Sequence, residues 1–195
     1  WGGRDHGGDS SEVQDQLKNV QHIQASQNAF AALLSDGSVV TWGQPETGGD
    51  SSEVQDELKN VRQIHATRCS FAAILDDGSV VTWGDPDRGG DIFDIQDQLI
   101  NVQQIQGTES AFAAILADGS VVTWGHWLHG GDCSEVQAEL KNVQRIYSTD
   151  CAFAALLADG SVVTWGMENF GGDSSAVQEQ LINVKHIGAT GHAFA

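Results

Sequence analysis

The dipeptide Trp-Gly stands at residues 1, 42, 83, 124 and 165, returning every 41 residues with no insertion anywhere in the chain. The same register carries Gly-Gly-Asp at 7–9, 48–50, 89–91, 130–132 and 171–173, a leucine at 17, 58, 99, 140 and 181, and a phenylalanine at 30, 71, 112, 153 and 194. Asp-Gly-Ser follows at 36, 77, 118 and 159. Residues 1–195 therefore read as one repeat array, four full units and an incomplete fifth. A fixed period of this size restricts the fold to solenoids and propellers, in which each unit buries its apolar faces against its neighbours.

The pattern inside one unit narrows the choice. Asp9-Ser10-Ser11-Glu12 resembles a capping box, and Val13, Leu17 and Val20 recur at helical spacing. A short amphipathic helical connector is predicted there, stopping near Asn19. Three strands are predicted after it, at 20–25, 29–34 and 38–42, with Asp36-Gly37 as a tight hairpin turn. The second and third strands are apolar on both faces, so each sheet must be covered on both sides. Small sheets stacked face to face around an axis meet that demand, and the paired alanines suit the crowded end of a tapering blade. The predicted fold is thus an all-β repeat protein of propeller-type blades joined by short helical connectors. An open strand-plus-helix solenoid is the alternative.

Charge and cysteines exclude several functions. Nine basic and 27 acidic residues give a net charge of -18, which repels nucleic acid and anionic membrane surfaces. No apolar run approaches the roughly 20 residues of a membrane-crossing helix, so insertion is not expected. Cys69, Cys133 and Cys151 form no Cys-x-x-Cys pair, which gives neither a disulfide framework nor a zinc motif. Reduced thiols favour an intracellular compartment. The recurring polar residues recur in every unit, whereas catalysis needs one asymmetric constellation, so a non-enzymatic chain without cofactor or metal is expected. Gly-Gly-Asp-Ser-Ser lacks the ligand density of a calcium loop and fits helix capping. The periodic tryptophans read as core.

The string Phe-Ala-Ala-Ile-Leu-x-Asp-Gly-Ser-Val-Val-Thr-Trp-Gly at 71–84 and 112–125 resembles the repeat of the regulator of chromosome condensation superfamily. The likeness runs the length of the chain, and the short unit is similar to that of the propeller-type bacterial β-lactamase inhibitors. Where the family has Gly-Gln-Leu-Gly, this chain has Gly-Gly-Asp-Ser. The resemblance implies a propeller. Its usual seven blades need more than 195 residues at this period, so an incomplete propeller is expected. It also implies protein binding, with two alternatives drawn from family members: guanine-nucleotide exchange on a small GTPase, and ultraviolet sensing by tryptophans.

Against the uniform frame, two windows vary. The first is the four residues after Trp-Gly, such as Gln44–Thr47, Asp85–Arg88 and His126–His129; the second is the turn between the first two strands, such as Arg68-Cys69 and Asp150-Cys151. In an antiparallel meander both windows leave the sheet at one edge, and the Asp-Gly turns leave at the other. Variation on a uniform scaffold is how repeat proteins make binding faces. The predicted partner-binding set is Arg68, Arg88, His126, Trp127, Leu128, His129, Tyr147 and Phe170, where large apolar and aromatic groups supply the anchors. His126 and His129 have metal-ligand spacing only on a helix, and the repeat puts them in a loop. Glu12, Asp15 and Lys18 line the outer side of the connector and help make an acidic rim.

Overall fold

The computed structural model describes residues 2–195. They form two compact units, residues 2–100 and 101–195. The first holds β1 (Val20–Ala25), β2 (Ala29–Leu34) and β3 (Val39–Gly43), then β4 (Val61–Ala66), β5 (Ser70–Leu75) and β6 (Val80–Gly84). The second holds β7 (Val102–Gly107), β8 (Ala111–Leu116), β9 (Val121–Gly125), β10 (Val143–Ser148), β11 (Ala152–Leu157) and β12 (Val162–Gly166). Each consecutive triplet is a three-stranded antiparallel meander. These four sheets are propeller-type blades. Past Val184 the fifth repeat contributes an isolated bridge between Ala189 and Phe194.

Register follows from the two apolar faces. Phe71 lies opposite Trp83 across the β5–β6 pair, and Ala73 lies opposite Val81. The Phe71 and Trp83 rings stack at 5.2 Å, and Trp83 Nε1 donates to the Gly48 carbonyl at 3.0 Å. This bond crosses from the third strand of one blade to the loop that follows the preceding blade. Gly48 has φ 91°, and a Cβ there would sit 2.5 Å from the Phe71 ring. Gly-Gly-Asp, Phe and Trp-Gly therefore recur together because they form one contact. The second unit repeats it, with Phe153 stacked on Trp165 and Trp165 Nε1 donating to the Gly130 carbonyl at 3.0 Å.

In the first unit the core lies between the two sheets, where Ala29, Ala31, Leu33 and Val39 of one blade meet Leu58, Ile64, Phe71 and Trp83. Ala111, Ala113, Ile115 and Val121 meet Leu140, Ile146, Phe153 and Trp165 in the same way in the second. The alanines leave room for the neighbouring blade's aromatic pair.

The connector differs from its predicted amphipathic helix. Residues 11–16 form successive turns, and only Gln96–Gln98 and Gln178–Gln180 close a 3₁₀ turn. The Asp accepts from the amide two residues on, as an N-cap can, but closes only a local turn: Asp50 Oδ1 from Ser52 N at 2.9 Å, Asp132 Oδ1 from Ser134 N at 2.8 Å. Such a local turn competes with helix nucleation, and so short a segment cannot offset the nucleation cost. The third strand also begins one residue late, at Val39, because Asp36 Oδ1 holds both the amide and hydroxyl of Ser38 in the turn. Asn19, the expected stop, has φ 55°.

Candidate functional site

The residues after Trp-Gly fold as one 3₁₀ turn in each blade: Pro45–Thr47, Pro86–Arg88, Trp127–His129 and Glu168–Phe170. A hydroxyl at the β1–β2 type of turn fastens it. Ser26 Oγ donates to the Thr47 carbonyl at 2.7 Å, Thr67 Oγ1 to Arg88 at 3.3 Å, Thr108 Oγ1 to His129 at 3.0 Å and Thr149 Oγ1 to Phe170 at 2.9 Å. The two variable windows of each blade are thus bonded side by side along one edge. Their backbone is held while their side chains differ.

Side chains of the two windows also meet from repeat to repeat within a unit. His6 Nδ1 bonds Asn28 Oδ1 at 2.7 Å, the Phe170 ring stacks on His192 at 4.7 Å, and Cys151 Sγ lies 3.6 Å from His129 Nδ1. These three pairs occupy equivalent repeat positions.

The predicted binding residues fall into separate groups. Trp127 is 66% exposed and Leu128 39% exposed. Both border a groove of about 660 Å³ whose wall includes Trp165 and Val136 and whose rim carries Asp132, Glu135 and Glu139. His126 stacks against Trp127 at 6.4 Å and meets His129 edge-on at 4.9 Å. The latter two residues belong to a 3₁₀ turn rather than an irregular loop. Phe170 pairs with His192, while Tyr147 lies in β10 with its ring edge-on to His186 at 5.6 Å. Tyr147 also packs on the core cluster of Ala154, Leu156, Val162 and Ile187, which accounts for part of its apolar surface. In the other unit, exposed Arg68 donates from Nε to Gln27 Oε1 at 3.0 Å, and exposed Arg88 pairs with Asp85 at 3.3 Å.

One exposed aromatic escaped the sequence reading. Phe93 is 83% exposed beside a second groove, of about 550 Å³, in the first unit. Its signal was Ile92-Phe93 replacing the Ser-Ser that follows Gly-Gly-Asp at residues 51–52. Trp83, Trp124 and Trp165 are core residues, and these and the half-buried Trp42 each stack or tilt on a phenylalanine at 5.2 Å.

No family model matches the chain, and no curated protein does. Solved structures do. Yeast RCC1 (Prp20) bound to Kap60 is 18% identical over 92% of this chain and 54% of its own length, with a TM-score of 0.61. The fold is that of RCC1-type propeller repeats. Prp20 of Saccharomyces cerevisiae, in a structure described with its binding to Gsp1p and histones, gives 19% identity, 92% and 55% coverage and a TM-score of 0.61. The ectodomain of the receptor kinase CR4 from Physcomitrella patens gives 15% identity, 88% and 45% coverage and a TM-score of 0.57. The chain spans about half the length of these structures. Among the described residues no helix is long and apolar enough to cross a membrane.

Proposed function

We propose that the chain is a non-catalytic protein-interaction or scaffold module that binds its partner along the variable edge. The observation that carries this reading is Trp127, an indole 66% exposed on a bonded 3₁₀ turn above a groove. A large aromatic held at fixed backbone gives contact area at little entropic cost, which is why such residues anchor interfaces. The groove's acidic rim and the chain's net charge of -18 favour a partner that offers an apolar side chain beside positive charge. Arg68, Arg88 and Phe170 extend the same kind of edge on other blades.

Quantitative affinity capture from the native source tests the edge. Trp127→Ala should weaken capture at least about tenfold, a loss near 1.4 kcal/mol, with the far-ultraviolet dichroism unchanged. Ser120→Lys, beside an Asp-Gly turn at the opposite edge, should leave capture intact. The reverse pattern would place binding on the other edge.

The likeness to Prp20, described with its binding to Gsp1p, favours a second reading as an exchange factor for a small GTPase. Nucleotide release from purified GTPases that is no faster with the chain than without it removes that reading.

A further inference from the structure

The junction between the last two blades brings together three side chains from the variable windows. Glu109 lies in the turn between β7 and β8, His129 ends the 3₁₀ turn after β9, and Cys151 lies in the turn between β10 and β11. Their donor atoms all fall within 4.8 Å of one another. The segments that carry them are bonded together: Thr108 Oγ1 donates to the His129 carbonyl at 3.0 Å, and Glu109 N donates to the Asp150 carbonyl at 2.7 Å. The arrangement is therefore fixed before any ligand arrives.

From this geometry we propose that Glu109, His129 and Cys151 form a zinc-binding site. Zinc bonds of about 2.3 Å to sulfur and 2.0 Å to nitrogen, at a near-tetrahedral angle, set the two donors roughly 3.5 Å apart. Cys151 Sγ lies 3.6 Å from His129 Nδ1 and 3.9 Å from Nε2. A thiolate, an imidazole and a carboxylate form a borderline-soft set that suits zinc and disfavours calcium or magnesium, which take oxygen. The fourth position is left to water. Binding of the ion would release the thiol proton to solvent. The equivalent sequence positions elsewhere are His6 and Asn28, Thr47 and Cys69, Arg88 and Ser110, and Phe170 and His192, none of which combines a thiol with an imidazole.

The test is titration of the metal-depleted full chain with zinc, using cobalt(II) as a spectroscopic probe. One zinc per chain should bind at micromolar concentration, and cobalt should give a thiolate charge-transfer band in the near ultraviolet. Cys151→Ser should abolish the band, while His129→Gln and Glu109→Gln should each weaken zinc binding at least tenfold. Cys69→Ser should change neither. Serine stands at the equivalent position as Ser110, so Cys151→Ser is expected to fold, which dichroism checks. A thiol–imidazole hydrogen bond without metal affinity would show no stoichiometric uptake and would overturn the proposal. Binding undiminished in any of the three ligand variants overturns the three-ligand assignment.

Discussion

Trp83 and Trp127 are the same residue in two roles, one 4% exposed and the other 66%. Trp83→Ala removes a ring stacked on Phe71 and a bond to the Gly48 carbonyl, so chemical denaturation should show a loss of about 3 to 5 kcal/mol. Trp127→Ala should stay within about 0.5 kcal/mol. Gly48→Ala places a methyl against Phe71 at a left-handed φ and should cost about 1 to 3 kcal/mol. The sequence shows that these residues recur; it cannot show that Gly48 recurs because of a ring 23 positions away. A titrating residue behaves differently. Burial, then the charge of His22, push His65 down to about 4 from 6.5. The unfolded chain takes up this proton below about pH 6.5 and the folded chain only near 4, so the contribution is full above 6.5 and is lost as pH falls toward 4. His65→Gln should flatten that part of the stability profile measured by thermal melts.

Strand positions are legible because short apolar runs and the Asp-Gly turn signal agree, and β1 and β2 match their predicted bounds. The connector was misjudged because a capping pattern and three apolar residues look alike whether the segment coils into a helix or into turns. Leu58, the repeat counterpart of Leu17, is buried in the blade core just after the turns. Some stabilising bonds leave no local trace: Gln55 Nε2 donates to the Val39 carbonyl and Gln137 Nε2 to Val121, each at 3.1 Å. One blade by itself exposes both faces of an apolar sheet. A single 41-residue unit should therefore give a disordered dichroism spectrum, whereas chains of three or more units should melt cooperatively. A folded single unit would contradict the shared core.

Over the whole molecule, the variable windows could be found by comparing repeats, but the pairs they make could not. His129 meets Cys151 across 22 residues and Tyr147 meets His186 across 39, separations that only the stacking of blades brings close. The net charge of -18 acts at this scale too. If the partner is basic, raising salt from 0.05 to about 0.5 M should slow its association more than it speeds dissociation, as stopped-flow or surface measurements would read. A partner insensitive to salt would leave only the apolar anchors. The bond from the Trp indole to a glycine carbonyl joins residues 35 apart at Gly7 and Trp42, at Gly48 and Trp83, and at Gly130 and Trp165. A gene encoding such a frame can gain or lose one whole period by recombination and still supply every donor with its acceptor. Length thus becomes a heritable variable, and each added copy arrives with a fresh pair of windows on which selection can work.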